Sequence, residues 1–581
     1  MELTYKEEGL LKRPLLPLYD SAVKGNPLIY RFGLLFVIGL WSVFIFYIAR
    51  SAVKIGEIHG VIMVLNVILL VLEFMTGNYF IFLLWAFFRS FIPVERAPGY
   101  LGMQLTDDDG PHGLAANHAR LPFVSVLIPT YREHFPVLRK TLLGALDLNY
   151  PKDRFDVNVV DDSPSGDDLR KFCESNGVNY MTRSDRKGFK AGAINYALQR
   201  IKGDLVLFLD ADHIPEPRLV INCLNAWREN TIGVQARIDF VNMVDMITTI
   251  GAFLHLHFYS LLQRARRVNG KAVFAGGTAL IDKSLMIKEG GIDELTIAED
   301  TDTSLQWLMK GYRMEYIDHV GSWALVPWDP LSLVRQVWRW MTGVTRSFRA
   351  RWFRILFSNL PFYSKVDLFY AWFIPTMGVL AWLSSFIFAY LALIDGTLIR
   401  YSEPIMIGPF TFPLIGLVVS LIGSLPFIAG VGALLFDEPF LLYVRKGKFF
   451  RYTSTVLFFF VSMAGQPLML FAVLKGWLGI KVSFNRTPKR KKANEPEIPS
   501  LKRRYAFGTL GLFLIGIFFL YAGLNAGISS PFFVPLFFAF YTSILPFSIA
   551  MFWYWRLEAY LEKVKDISAE MVIEEVTSVQ V

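Results

Sequence analysis

Leu205-Val206-Leu207-Phe208-Leu209-Asp210-Ala211-Asp212-His213 is the stretch from which the fold is read. Its five apolar residues, rich in Leu and Val and bounded by Gly203 and by two aspartates, have the length and composition of a strand. Residues 123–128 and 155–160 repeat the pattern, and helix-like segments lie between them at 135–145 and 190–201. Strand-helix-strand alternation at this spacing predicts a mostly parallel sheet with helices on both faces. Chemistry in such sheets collects at the carboxyl ends of strands. Asp161-Asp162 follows residues 157–160 and Asp210-Ala211-Asp212-His213 follows residues 205–209, so every acidic motif is expected at such an end.

Outward from this core the chain turns apolar. Of 581 residues, 53% are hydrophobic and only 19% charged, against about 25% in soluble domains. Disorder, a collagen-like chain and a disulfide scaffold are excluded; Cys173 and Cys223 read as reduced thiols. The net charge of +9 fits Lys and Arg that hold cytoplasmic loops in place, and no nucleic-acid partner is expected. Apolar runs at 32–49, 60–88, 366–394, 407–436, 452–474, 505–524 and 531–555 are long enough to consider as spans. Residues 60–88 read as one long span or as two short helices broken at Gly77-Asn78. The run 452–474 has Arg445, Lys446, Lys448 and Arg451 on one flank, Lys489, Arg490, Lys491 and Lys492 on the other, and Gly465-Gln466-Pro467 inside. Both flanks should then be cytosolic, and the run reads as interfacial or re-entrant.

The expected layout is a cytosolic N-terminus with two transmembrane helices (1–92), a cytosolic α/β domain (93–335) and amphipathic interfacial helices (336–364). Two spans (365–436), the interfacial segment with a loop (437–504), two further spans (505–556) and a cytosolic tail (557–581) follow. The expected localisation is the cell membrane, multi-pass, with both termini cytosolic.

Two further signals lie in order along the soluble part, Glu299-Asp300 within Thr296-Ile297-Ala298-Glu299-Asp300, and Gln336-Val337-Trp338-Arg339-Trp340. The Asp210–Asp212 pair offers oxygens to a hard cation, Mg²⁺ or Mn²⁺, which in turn neutralises a diphosphate leaving group. Taken singly, these acids equally well cap turns or helix N-termini, and Trp338 and Trp340 equally well anchor at an interface. The ordered set is far more specific. Displacement at an anomeric carbon needs one base at the acceptor and charge neutralisation at the leaving group. Hydrolases of the same bonds use two flanking carboxyls instead.

Pro129-Thr130-Tyr131-Arg132-Glu133, Asp161-Asp162, Lys190-Ala191-Gly192, the DxDH, Glu299-Asp300 and the QxxRW together resemble the processive family-2 glycosyltransferases, cellulose synthases above all, with hyaluronan and chitin synthases related. The likeness covers about residues 124–340. It implies a GT-A-type, Rossmann-like α/β domain inserted into a helical transmembrane bundle. Thr130, Tyr131, Glu133, Asp161 and Asp162 would then serve the nucleotide, and Lys190 its diphosphate. Asp210 and Asp212 would hold the metal, with His213 nearby. Asp300 would be the general base, with Glu299 beside the acceptor. Gln336 and Arg339 would hold the pyrophosphate, and Trp340 would stack on the acceptor sugar. Phe484-Asn485-Arg486-Thr487-Pro488-Lys489 resembles the FxVTxK gating loop of cellulose synthases, with Arg486 where the family has Val; Phe484, Thr487 and Lys489 carry the match. The implied partners are a nucleotide sugar, UDP-glucose first, a growing β-linked polysaccharide and the bilayer.

Overall fold

The computed structural model describes residues 25–107, 110–163, 167–243, 246–294, 296–327, 330–394, 404–407, 410–413, 469–480, 510–522 and 524. Helix α1 (Pro27–Ile55) begins where Asn26 Oδ1 accepts the amides of Leu28 and Ile29 at 3.1 and 3.2 Å, with Pro27 in the first turn. Helix α2 (Gly60–Arg89) is a single continuous helix, which decides between the two readings of residues 60–88. Gly77 does not break it. A Cβ there would lie 2.3 Å from Phe44 of α1, and one on Gly33 would lie 2.1 Å from Phe88, so each glycine is the notch that receives a ring of the other helix.

The α/β domain follows. Its strands are β1 (Val124–Thr130), β2 (Phe155–Asp161), β3 (Asn179–Thr182), β4 (Leu205–Phe208), β5 (Ile214–Pro215), β6 (Thr231–Phe240), β7 (Ala279–Asp282) and β8 (Arg313–Ala324). They form one eight-stranded sheet in the order β3-β2-β1-β4-β7-β6-β8-β5. The ladders β1·β2, β1·β4, β2·β3 and β6·β8 are parallel; β7 runs antiparallel to β4 and β6, and β5 antiparallel to β8. The sheet is therefore mostly parallel, as expected. Helices α3 (Phe135–Leu146), α4 (Asp167–Ser175) and α5 (Phe189–Leu198) form the crossovers between β1, β2, β3 and β4, and α6 (Leu219–Asn225) links β5 to β6. Val124, Val126, Leu127, Ile128, Leu205, Val206 and Leu207 have no exposed surface. Each such burial stabilises the fold by about 1.5–3 kcal/mol, enough to fix the register.

Helix α7 (Met246–His257) runs through a π-turn (Phe258–Gln263) into the short α8 (Arg264–Arg266). Helices α9 (Lys283–Lys288) and α10 (Glu299–Met309) follow β7. The expected interfacial segment is one helix, α11 (Pro330–Leu356), with Phe348 and Ile355 buried and Trp352, Phe353 and Leu356 exposed. It leads into α12 (Phe362–Leu393), which packs on α2 through Tyr370 and Phe82, ring centroids 4.9 Å apart. Among the described residues three helices are long and apolar enough to cross a membrane, Pro27–Ile55, Gly60–Arg89 and Phe362–Leu391. Of the other expected spans, Leu510–Ala522 is described as a helix, whereas the run 407–436 does not start as one. Its first described residues form a short antiparallel ladder of Pro404–Ile407 with Phe410–Pro413, so the expected start at 407 is corrected. Of the run 452–474 only the part within the helix Met469–Leu478 is described. Trp477 of that helix donates to Thr376 Oγ1 at 3.1 Å.

Candidate active site

Four parallel strands end at one edge of the sheet, and their register decides what meets there. Thr130 pairs with Asp161 and Asp161 with Thr182, so the ends of β1, β2 and β3 lie level. Asp161 is spent locally: Oδ1 accepts the Ser163 amide at 2.8 Å and Oδ2 the Tyr180 hydroxyl at 3.0 Å. Asp162 is gripped by Arg183, Nε to Oδ1 at 2.7 Å and Nη2 to Oδ2 at 2.6 Å, a buried bidentate pair. Thr130 is buried beside it, and Glu133 is half-buried between β1 and α3. The Arg186 guanidinium lies 3.4 Å from the centroid of the Tyr131 ring, a cation–π contact. Arg132 and Phe189 both take left-handed backbone, φ 51° and 49°, at the two loops that frame this corner. Strained non-glycine residues of this kind gather where surroundings hold a functional geometry.

One strand further, β4 delivers the DxDH. His213 closes the turn by donating its amide to the Asp210 carbonyl at 3.0 Å. Lys190, from the first turn of α5, reaches across with its ammonium 2.5 Å from Asp210 Oδ1 and 3.0 Å from the Gly276 carbonyl. Burial pulls the Lys190 amine down, but Asp210, Glu299 and Asp300 together outweigh it and hold the group protonated. Asp212 is half-buried in the same turn. His213 Nε2 stands 3.7 Å from Asp210 Oδ2, and its Nδ1 lies 3.2 Å from Thr278 Oγ1. Gly276-Gly277-Thr278 lies here because Phe208 pairs with Ala279, the first residue of β7. That strand's lead-in is clamped by side chains: Gln263 holds both backbone groups of Val273, Ser304 takes the Phe274 amide, and Gln235 takes the Ala275 amide and donates to the Gly277 carbonyl.

Glu299 and Asp300 open α10. This corrects the expectation that every acidic motif ends a strand, since this pair begins a helix and reaches the sheet edge from outside. The Thr301 amide donates to Asp300 Oδ1 at 2.6 Å. Oδ2 points at Gly276, where φ is +81° and an added Cβ would fall 2.5 Å from that oxygen. Burial raises the Asp300 carboxyl, and Lys190 works against it. Burial, then Asp300, push Glu299 up to about 7, with Lys190 and Arg339 opposing. Arg339 is brought to the same acids by α11; burial lowers its guanidinium while Glu299, Asp300 and Asp210 favour its charge. Gln336 is buried with its Oε1 unbonded among the described residues. Trp340 meets His255 edge-on at 4.8 Å, whereas Trp338 lies under the Lys475 ammonium at 5.0 Å.

Lys190, Asp210, Glu299, Asp300 and Arg339 thus converge, with Asp212 and His213 in the adjoining turn. Thr130, Tyr131, Asp161 and Asp162 form a neighbouring corner. Phe484, Thr487 and Lys489 lie outside the described residues. Sequence reasoning missed Arg183, Arg186, Gln235 and Gln263. Only Arg183 and Arg186 carried a local signal, as basic residues just ahead of Lys190. Among the described residues no three His, Cys, Asp or Glu side chains form a metal cage. The Asp210 side chain stays about one-third exposed, so a cation there would draw on one or two carboxylates and on phosphate oxygens, the usual manner for Mg²⁺.

A profile described as glycosyl transferase family 2 matches residues 125–289. The cellulose synthase 1 catalytic subunit (UDP-forming) of Komagataeibacter xylinus is 28% identical over 294 residues, 49% of this chain and 37% of that one. A rice protein (Oryza sativa subsp. japonica) designated "probable glucomannan 4-beta-mannosyltransferase 3" is 32% identical over 277 residues, 44% of this chain and 50% of that one. The chain therefore spans half or less of the length of these relatives. Among solved structures, a mannosyltransferase from Pyrobaculum calidifontis in complex with GDP-Man and Mn²⁺ aligns at 19% identity and TM-score 0.47, over 72% of this chain and 100% of that one.

Proposed function

We propose, from the premise that the chain carries the catalytic domain of a cellulose synthase-like family-2 glycosyltransferase, that it polymerises a β-linked polysaccharide from a nucleotide sugar and passes the product across the membrane. The donor we assign is UDP-glucose, with GDP-mannose and UDP-N-acetylglucosamine as the competing arms of the test. The observation that carries the reading is the meeting of one half-buried carboxylate, Asp300, with the cations Lys190 and Arg339 beside Asp210.

In this mechanism Asp300 Oδ2 takes the proton of an acceptor sugar hydroxyl. That oxygen attacks the anomeric carbon as the bond to the diphosphate breaks, and the diphosphate leaves with the electron pair. Attack from the far side converts an α-linked donor to a β linkage. The Thr301 amide holds Oδ1 and leaves Oδ2 for the proton. Burial, by raising the carboxyl, makes the ionised group a stronger base. Lys190, Arg339 and Gln336 receive the diphosphate, the two cations and the amide being in place before it departs. Asp210 and Asp212 would hold Mg²⁺ or Mn²⁺, which supplies further neutralisation of the leaving group. Thr130, Tyr131, Glu133, Asp161 and Asp162 frame the nucleotide, with Asp162 acting through its grip on Arg183. Trp340 offers a face to the acceptor, and Glu299 lies beside it. Phe484, Thr487 and Lys489 would form a loop over the nucleotide, and the bundle of six spans a path for the polymer.

The test uses purified protein in proteoliposomes with Mg²⁺ or Mn²⁺ and each labelled nucleotide sugar separately. The product is sized and digested with linkage-specific glycanases. A long product from one donor is expected, and Asp300→Asn should lower elongation by about 10²–10⁴-fold while nucleotide still binds. Label confined to short lipid-soluble material would replace this reading with transfer to a polyprenyl phosphate.

A further inference from the structure

Two helices bring the reacting groups together, α10 with Asp300 and α11 with Gln336, Arg339 and Trp340. What fixes one against the other is a buried ion pair outside the reacting groups. Asp302, two residues beyond Asp300, has no exposed surface. Its Oδ1 accepts Arg351 Nε at 2.8 Å and its Oδ2 accepts Arg351 Nη2 at 2.6 Å. Ser347 Oγ adds a bond to Oδ1 and Gln306 Nε2 one to Oδ2 at 3.3 Å. Arg351 Nη2 also reaches Asp293 Oδ2 at 2.8 Å, so a single guanidinium ties the loop before α10 and the first turn of α10 to α11.

The second observation is the spacing along α11. Residues 336, 340, 343, 347 and 351 recur at steps of four, three, four and four, which places them on one face of the helix. At Gly343 that face comes so close to the residue before Glu299 that an added Cβ would lie 2.7 Å from the Ala298 Cβ. The stripe that presents Gln336 and Trp340 therefore continues as the stripe that seats on Ala298 and Asp302. A slide by one turn would carry Arg351 off Asp302 and Gly343 off Ala298. Buried ion pairs add little to stability but can select one register among several.

We infer that Asp302 and Arg351 are positioning residues for the transfer reaction, holding the base-bearing helix in the one register that points Asp300 at Gly276 and Arg339 at the leaving group. The inference rests on the reading of Asp300 as base under Proposed function and adds a residue pair to that site.

The test compares Arg351→Lys, Arg351→Gln, Asp302→Asn and the double variant Asp302→Asn/Arg351→Gln in proteoliposomes. UDP and GDP affinities are measured by calorimetry, and kcat and donor KM by label incorporation. Expected are kcat losses of about tenfold or more in Arg351→Gln and in Asp302→Asn, with nucleotide affinity and donor KM within about threefold of the parent. The double variant should lose no more than the worse single one, because both remove the same interaction. Arg351→Lys should recover part of kcat. Unchanged kcat in Arg351→Gln, or additive losses in the double variant, would overturn the assignment. Loss of nucleotide binding along with kcat in both Arg351→Lys and Asp302→Asn would also overturn it, in favour of a plain structural pair. The unaltered protein is assayed alongside. A short product from it would retire polymerisation, while the rate ratios among variants would still judge the pair.

Discussion

Gly276→Ala is the substitution for which the geometry sets a magnitude. The new methyl carbon would lie 2.5 Å from Asp300 Oδ2 and 3.3 Å from Lys190 Nζ, where ordinary contact begins at 3.4 Å. If the carboxylate alone yields, it retreats about 0.9 Å, and displacements of that size cost on the order of 100-fold in rate. That factor corresponds to about 2.7 kcal/mol at the transition state. If the backbone yields instead, the Gly276 carbonyl leaves Lys190, to which it is bonded at 3.0 Å, and the cation shifts. The left-handed φ of +81° adds about 1–2 kcal/mol of strain for any side chain. We therefore expect kcat to fall about 100-fold with UDP affinity changed less than about threefold. Label incorporation in proteoliposomes and calorimetric titration of UDP check the two halves. An alanine variant that elongates at the parental rate would refute the placement of Asp300 Oδ2 against this turn.

As the proposed base, Asp300 would act ionised, and burial raises its carboxyl, so kcat should fall with decreasing pH above the ordinary aspartate range; Lys190→Met, by removing the opposing charge, should move that limb to higher pH in a kcat–pH profile. For stability the sign follows from Glu299, raised from 4.5 to about 7: the folded chain holds this proton more tightly than the unfolded one, so ionisation between those values costs stability. Glu299→Gln should accordingly gain thermal stability over the parent at pH 8 but not at pH 4, read by fluorescence-detected melting. Arg183→Met leaves the Asp162 charge buried without its partner and should cost about 3–5 kcal/mol, seen as a lowered melting temperature and weakened UDP binding. Gly77→Val drives a methyl into the Phe44 ring and should cost about 1–3 kcal/mol by the same melting assay, whereas a site for a helix break would tolerate it.

Local rules carried the sequence reading as far as the strands that end at the site. The run 205–209 has the length and composition of a strand, and Asp210 and Asp212 follow it at once. The direction of β7 was not legible, because an antiparallel return depends on the path of the chain between 241 and 278 and leaves no mark in a strand of four residues, three of them apolar. By sequence alone, Gly276-Gly277-Thr278 fits a bulge as well as a backbone surface turned to donor or acceptor. Arg183 and Arg351 were missed for another reason: their carboxylates lie 21 and 49 residues away, beyond any periodicity. Gly77 was ambiguous because the cost of glycine in a helix is local while the ring that fills its notch belongs to another helix.

The packing of α2 on α12 has a consequence for assembly. About 270 residues separate Arg89 from Phe362, yet Phe82 and Tyr370 are stacked, so the entire α/β domain is a loop whose two ends are side by side. Closing so long a loop from an unfolded chain costs entropy that grows only with the logarithm of its length. Once the domain has folded, its ends are already adjacent and most of that cost has been met. In synthesis α1 and α2 emerge before the domain and can pair through Gly33 and Gly77, while the face of α2 that meets Tyr370 must wait for the domain to be completed. Mutations that slow the folding of the sheet should therefore surface as unpaired membrane helices, cleared from the bilayer before any loss of catalytic competence could be measured.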